Sequence, residues 1–238
     1  MKSIPLEDQG PQELIGAVVK VPLAQALANK HERIVRQRYA KTTVREYLGS
    51  LTAPLNEQYL KFHEEHRYFD IVCAGAKHHH YWINGPREHV SEMIGYLLDL
   101  FDLYRGDLEN KVTRDDIIIA CYLHDFAKVW TYELITEEDR EADPKRYLPG
   151  QFFKPVGGAF NLVDEESKTL LELSKWGIHP TESQWSAVLF AEGGYSDANF
   201  TINGLSRTSD VVMHCNPLAV LVHMADMYSA MILGGSLV

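Results

Sequence analysis

The chain has 238 residues, of which 45% are hydrophobic and 24% are charged, and its formal net charge is −10. This length suits one well-buried core with a short additional segment and is too short for two comfortable domains. The composition is that of a folded soluble protein. The acidic balance argues against binding nucleic acid by broad phosphate neutralisation, so we expect no extended nucleic-acid surface, although a small anionic substrate stays compatible.

The cysteines and the N-terminus bear on where the protein works. Cys73, Cys121 and Cys215 are odd in number and have no CxxC spacing, which argues against a disulfide framework or a zinc ribbon. The first ten residues have no apolar targeting segment, and no run reaches the roughly 18 apolar residues that span a bilayer. We therefore expect a cytoplasmic protein with reduced thiols and no membrane contact.

The first part of the chain has helical patches at residues 12–21 and 35–51, separated by prolines. We predict an N-terminal helical extension over residues 1–54 and one helical domain over residues 55–238. The extension carries several basic residues and either packs on the domain or mediates self-association, which leaves a homo-oligomer open.

Two strong helices follow. Asn84-Gly85-Pro86 is typical of a helix start, and apolar residues recur at helical spacing after it, so His89 should lie in the first turn of an amphipathic helix. Thr113 with Asp116 predicts a capping box. The apolar residues 117–123 then predict a buried central helix that carries His124 and Asp125.

Later segments complete an all-α prediction. Residues 137–158 are polar and rich in proline, which predicts a long surface loop, with Lys154 on a candidate substrate-facing lid or on a merely solvated insertion. Helices are expected at 164–176 and from Thr181. Asn216-Pro217 starts a last helix that contains Asp226.

An ionised carboxylate within a buried helix is costly unless it is paired or binds a cation, so Asp125 needs an explanation. Adjacent helical residues point about 100° apart, so His124 and Asp125 can share one ion only at a seam between helices. Two imidazoles and two carboxylates suit a divalent metal, and Lys128 falls on the same patch. Spacing alone equally allows hydrogen-bonded core histidines and a simple ion pair between Asp125 and Lys128.

The pattern resembles the HD superfamily of metal-dependent phosphohydrolases, whose signature is a histidine, a His-Asp doublet and a distant aspartate. The matching segments are residues 73–80, 123–128 and 216–226, and the resemblance covers roughly residues 73–230. The doublet with lysine at the third following position is the most specific piece. The histidine pair ahead of Gly85 and His89 is similar to the subgroup of 3′-to-5′ exoribonucleases and relaxase-associated HD proteins.

The resemblance implies a single HD-type helical bundle with catalytic roles for Asp125 and Lys128, the lysine neutralising a substrate phosphate. The implied metal ligands are His89, His124, Asp125 and Asp226. Many relatives hold a second metal through two further histidines, but residues 157–161 and 190–194 contain none. We therefore expect one divalent ion, which could be Mn, Mg, Co, Ni, Fe or Zn.

Further substrate contacts are expected from His79 and His80, beside Tyr81 and Trp82, and from Lys154; a solvated loop explains the histidines nearly as well. The leading functional expectation is hydrolysis of phosphate ester or anhydride bonds in nucleoside mono- or triphosphates, with a small-molecule nucleotide as partner. The alternatives are a 3′-to-5′ nuclease or cyclic-nucleotide phosphodiesterase, and a non-catalytic nucleotide-binding HD module.

Overall fold

The computed structural model describes residues 42–75, 79–80, 82–147, 152–156, 165–191 and 216–233, and these residues are mostly helical, which confirms the all-α prediction. Two further short segments are helical but not α-helical: Arg67–Asp70 forms a 3₁₀ turn and Tyr228–Leu233 forms a π-helical turn. The helices are α1 (Val44–Gly49), α2 (Leu55–Glu65), α3 (Gly85–Leu103), α4 (Arg105–Leu108), α5 (Arg114–His124), α6 (Lys128–Thr131), α7 (Glu137–Ala142), α8 (Glu165–Lys175), α9 (Glu182–Leu189) and α10 (Pro217–Met227).

Helix α5 is the centre of the bundle. The predicted capping box is present, because the Thr113 hydroxyl accepts from the Asp116 N–H while the Asp116 carboxylate accepts from the Thr113 N–H. Every residue from 117 to 123 is buried, and helices α1, α3, α9 and α10 pack around them. The apolar pattern therefore places α5, and with it the His-Asp doublet, in the middle of the domain.

The described part of the predicted extension, residues 42–54, contributes to the same core. Val44, Leu48 and Leu51 are buried in the cluster that includes α3 and α5. Helix α1 begins with a capping box between Thr43 and Glu46. These residues thus pack with the domain that the sequence analysis placed after them. Residues 1–41 lie outside the described residues.

The predicted continuation of α5 through Asp125 is wrong. The helix ends at His124, Asp125 is its C-cap, and the next residues form tight turns in which Phe126 N–H donates to Leu123 O and Lys128 N–H donates to Asp125 O. Helix α6 then starts at Lys128. Neither glycine nor proline marks this end, and apolar residues continue beyond it, so periodicity had no signal for the break.

The prediction of a long loop at residues 137–158 is also wrong. It contains α7, which is capped by Thr136 and Asp139, and the strand β2 (Phe153–Pro155). Strand β2 pairs antiparallel with β1 (Tyr132–Leu134), with Leu134 opposite Phe153. Burial of Phe153 against Val72 and Cys73 stabilises this small hairpin, a tertiary contact that local polarity and prolines did not reveal.

Helix ends near the site follow the predicted capping chemistry. Gln184 completes the α9 capping box with Thr181, and its side-chain amide also donates to Asp116 on α5 at 2.8 Å. Asn216 caps α10 by accepting from the Leu218 N–H, with Pro217 in the first turn. The Gln184 bond thereby ties α9 to α5, and the Asn216 amide ties the start of α10 to α9 by donating to the Ser183 carbonyl at 2.7 Å.

Among the described residues, we find no helix long and apolar enough to cross a membrane.

Candidate metal centre

The structure brings His89, His124 and Asp125 into one group whose possible ligand atoms all lie within 4.8 Å of one another, and Asp226 joins this group through its contact with His89. His89 comes from α3, His124 and Asp125 from the end of α5, and Asp226 from α10. The Nε2 atom of His89 lies 3.2 Å from His124 Nε2 and 3.1 Å from Asp226 Oδ1. The Asp125 carboxylate lies slightly farther from the two histidines: Oδ2 is 3.9 Å from His89 Nε2 and Oδ1 is 3.7 Å from His124 Nε2. The seam expected from sequence exists at the junction of these helices.

His124 presents a lone pair to this junction. Its Nδ1 lies 2.6 Å from the carbonyl oxygen of Cys121, one turn earlier in α5. A carbonyl only accepts, so Nδ1 carries the proton and the neutral ring has its lone pair on Nε2. The end of α5 therefore aims an unprotonated imidazole nitrogen at His89 Nε2.

Asp125 has a feature that a bound cation would explain. Its Oδ2 atom is buried and has no hydrogen-bond partner among the described residues. An unpaired buried carboxylate oxygen is costly, and a bound cation removes that cost.

The spacing of the donors also fits a metal ion. Two donors at about 2.0 Å from a tetrahedral ion lie about 3.3 Å apart. The 3.1 and 3.2 Å separations around His89 Nε2 match this value, while Asp125 is a little wider. The mixed nitrogen and oxygen set is compatible with several first-row divalent ions. These residues fit a divalent cation without selecting its identity.

The local electrostatics keep the carboxylates ionised. Burial alone would raise the pKa of Asp125, but Lys128 and three histidines, His124, His89 and His79, lower it to about 2. Burial opposes ionisation of Asp226 too, yet its hydrogen bond with His89 holds its pKa below the ordinary value. Burial lowers the pKa of His124, which favours the neutral imidazole that a metal requires. For His89, burial also lowers the pKa, but the nearby carboxylates outweigh it and raise the value.

Lys128 lies at the edge of the centre. Its Nζ is 3.7 Å from Asp125 Oδ1 and 3.0 Å from Glu165 Oε2, so the ammonium group of Lys128 lies between two carboxylates. Thr131 donates to the other oxygen of Glu165 at 2.9 Å. The sequence analysis did not identify Glu165, since its position 37 residues from Lys128 carries no local signal.

The two predicted histidine contacts differ in their surroundings. His79 is partly buried with its ring 4.9 Å from that of His89, beside the centre, and burial together with the charge of His89 lowers its pKa to about 4. His80 is completely buried, with Nε2 3.1 Å from Glu92 and its ring 4.9 Å from the Trp82 ring. A fully enclosed ring offers no surface to substrate, so the burial of His80 gives its predicted substrate contact no support.

Lys154 is placed in an ion-pair cluster on the hairpin. Its Nζ lies 2.6 Å from Asp139 and 3.3 Å from Glu133. Neither partner belongs to the metal centre, so these contacts give no support to the predicted substrate role. The pairing instead ties β2 to α7, which a loop interpretation of this segment could not anticipate.

Gly85 is needed for the approach of the His80 backbone to the start of α3. A Cβ at residue 85 would lie 1.9 Å from His80 O and 2.9 Å from Ala74 N. The same His80 carbonyl accepts from the Ala74 N–H at 3.1 Å. His80 and Asn84 both have positive φ. Glycine at this point therefore lets the segment with His79 and His80 lie against the helix that carries His89.

Two buried residues around His89 were missed from sequence. Ser229 Oγ lies 2.9 Å from His89 Nδ1, and Glu92 Oε2 accepts from Ser229 at 2.7 Å. Glu92 follows His89 by three residues and interrupts a buried apolar stripe, which was an available signal. Ser229 is 140 residues from His89 along the chain and had no such signal.

Comparisons of the chain with protein-family models, curated proteins and solved structures find no match.

Proposed function

We propose that this protein is a divalent-metal-dependent phosphohydrolase that acts on phosphate ester or anhydride bonds of small nucleotides. The observation that carries the proposal is the convergence of His89, His124, Asp125 and Asp226, with the buried Oδ2 of Asp125 lacking a partner among the described residues. The resemblance of the same residues to the HD signature supports phosphoryl chemistry over a purely structural metal.

Each residue has a defined part in this proposal. His89, His124, Asp125 and Asp226 would hold the ion, which when bound supplies a water of lowered pKa and polarises a phosphoryl oxygen. Lys128 lies 3.7 Å from Asp125 and has only a small exposed fraction, so it can place positive charge beside a phosphate bound at the centre. His79 could contact substrate there, because its ring lies 4.9 Å from that of His89 and, unlike the ring of His80, is only partly buried.

The charge of the chain favours a small substrate. With a net charge of −10, a long polyanion would be repelled over most of the surface. A mononucleotide instead needs only the local positive charge of an ion and of Lys128. The proposal therefore commits to mononucleotides ahead of oligonucleotides.

The experiment separates metal binding from turnover. The purified protein is stripped with a chelator and reloaded with each of Mn²⁺, Mg²⁺, Co²⁺, Ni²⁺, Fe²⁺ and Zn²⁺, after which metal content is measured. Phosphate and nucleoside release is followed with mono-, di-, tri- and cyclic nucleotides and short oligonucleotides. Asp125→Asn removes a proposed ligand, and Asp107→Asn is the matched control because Asp107 is exposed on α4.

We expect about one ion per chain, metal-dependent turnover of a mononucleotide, loss of both in Asp125→Asn and retention of both in Asp107→Asn. Lys128→Met should keep the ion and lose roughly 100-fold or more in kcat. A wild-type protein that binds none of these ions would overturn the proposal. Bound metal without turnover of any substrate would favour the non-catalytic module, and turnover of oligonucleotides alone would favour the nuclease.

A further inference from the structure

One carboxylate joins the start of α8 to α6 beside the candidate metal centre. Glu165 is the first residue of α8, and its Oε2 lies 3.0 Å from the Nζ of Lys128, the first residue of α6. Its other oxygen, Oε1, accepts from the Thr131 hydroxyl at 2.9 Å. Lys128 and Thr131 are three residues apart and therefore lie on the same face of α6. The Glu165 carboxylate bridges them, so both of its oxygens are held in place.

Lys128 has this carboxylate on one side and that of Asp125 on the other. The 3.0 Å separation from Glu165 is a hydrogen-bond distance, whereas the 3.7 Å separation from Asp125 Oδ1 is too long for one. The side chains of Lys128 and Asp125 are only 12% and 8% exposed, so solvent screens the attraction between them weakly. The ammonium group therefore stays with Glu165 although a second, more deeply buried carboxylate lies just beyond contact.

The surroundings of Asp125 would favour a closer approach of this lysine. The ammonium group is carried on a long, flexible stem and can turn toward either anion. Asp125 Oδ2 is buried and has no hydrogen-bond partner among the described residues, so it would gain from a donor. If the charge of Glu165 were removed, we expect Lys128 to turn and bond directly to the Asp125 carboxylate. A lysine bonded there would compete with a cation for the same oxygens.

We propose that Glu165 is a positioning residue that holds Lys128 away from Asp125 and so leaves the Asp125 carboxylate available to a cation. The consequence for the cation rests on the proposed metal function, whereas the effect of Glu165 on Lys128 does not. Thr131 supports the arrangement by fixing the second oxygen of Glu165. The same contact keeps the ammonium group at the edge of the centre, where the proposed function requires it for a phosphate.

The first test needs no metal. Urea denaturation of the chelator-stripped protein gives the coupling between Asp125→Asn and Lys128→Met from a double-mutant cycle, and the cycle is run in the wild-type and in the Glu165→Gln background. Glu165→Gln should raise this coupling about threefold to tenfold, expressed as a ratio of unfolding equilibrium constants, because Lys128 then pairs with Asp125. Equal coupling in the two backgrounds would overturn the inference.

The control for the charge change is Glu182→Gln. Glu182 is the first residue of α9, as Glu165 is of α8, and its side chain is exposed. Both substitutions therefore remove a negative charge from the start of a helix, where it interacts with the helix dipole. The Glu182→Gln background should give the wild-type coupling between Asp125 and Lys128.

The second test is calorimetric titration of the stripped, full-length protein with Zn²⁺. Glu165→Gln should lower the affinity by about tenfold or more, as changes in groups outside the ligand set typically do. In the Lys128→Met background the same substitution should cost much less, because the competing ammonium group is gone. Thr131→Val should weaken binding in the same direction and Thr131→Ser, which keeps the hydroxyl, should recover it, while Glu182→Gln should match the wild type.

The pattern of losses decides the inference. Unchanged Zn²⁺ affinity in Glu165→Gln would overturn it. An equal loss with and without Lys128 would also overturn it, since Glu165 would then act on the ion through its own charge. A wild-type protein that binds no Zn²⁺ would count against the metal function, and the coupling between Asp125 and Lys128 would still decide on Glu165.

Discussion

At the scale of single residues, the centre joins groups that would be costly to bury separately. Asp125 has a buried carboxylate oxygen without a hydrogen-bond partner among the described residues, and His124 turns an unprotonated nitrogen inward because its one ring N–H, on Nδ1, donates to Cys121 O. Both features are unfavourable in an apolar interior unless a positive charge lies between them. The burial of these side chains therefore fits the proposed binding of a cation between them.

The buried cysteines lead to a prediction about reactivity. Cys73 and Cys121 are completely buried, as expected from sequence, while Cys215 lies outside the described residues. Burial raises the pKa of the Cys73 thiol to about 12 and also raises that of Cys121, so neither forms the reactive thiolate near neutral pH. In the Cys215→Ser variant, a thiol-specific disulfide reagent should not react rapidly with either remaining thiol in the native protein. After denaturation in urea, both thiols should react. Rapid modification of either cysteine at neutral pH would contradict this burial.

The four predicted ligand positions could be chosen from sequence because polar residues in apolar helical segments stand out locally and because these residues match the HD signature that the sequence resembles. Of the supporting residues, Glu92 stands out in the same way within a buried apolar stripe, but Ser229 does not, since its place depends on a distant contact. Ser229 reaches Glu92 over 137 residues of chain, and only the packing of α3 on α10 makes that contact visible. Sequence anomalies identify the groups that need a partner, whereas tertiary structure identifies the partner.

At the scale of elements, the beginnings of helices were more predictable than their ends. The capping boxes at Thr113 and Thr181 and the Asn216 cap are all present, because their hydrogen bonds are local. The predictions for the end of α5 and for residues 137–158 were wrong because tertiary packing, and not the local sequence, decides these features. Helix α3 shows both influences: its start is marked by Pro86, but the need for Gly85 comes from the approach of the His80 carbonyl.

Gly85→Ala tests that approach. The new methyl group would lie 1.9 Å from a backbone oxygen, so the segment around His80 must shift. We expect the free energy of unfolding to fall by about 1–3 kcal/mol, as for other overpacked sites, and metal affinity to fall with it. Urea denaturation and Zn²⁺ titration measure the two effects.

Gly106→Ala is the matched control, because a Cβ there meets nothing within 4 Å and α4 should gain up to about 1 kcal/mol from alanine. Equal unfolding free energies for the two variants would show that the backbone near His80 does not need the glycine.

At the scale of the whole molecule, the donors lie at positions 89, 124, 125 and 226, so the site exists only when α3, α5 and α10 are packed. A ligand that binds the folded protein alone stabilises it, by about 2.7 kcal/mol at a free concentration of 100 times Kd. For a domain of this size that corresponds to a rise in Tm of roughly 5–10 °C.

Thermal unfolding should therefore show this increase on adding the preferred metal to the stripped wild-type protein. Asp107→Asn should respond like the wild type and Asp125→Asn should not respond. An equal increase in Asp125→Asn would mean that the ion stabilises the protein from some other site.

The stacking beside His80 has an optical consequence. Trp82 is held by donating from its indole N–H to Glu88 at 2.9 Å, and its ring lies 4.9 Å from His80, which in turn lies 4.9 Å from His89. An indole so close to the centre should lose part of its fluorescence when Co²⁺ or Ni²⁺ arrives, since these ions quench excited aromatic rings at short range. If this proposed site binds such an ion, Trp82 reports its occupancy without a dye or added label.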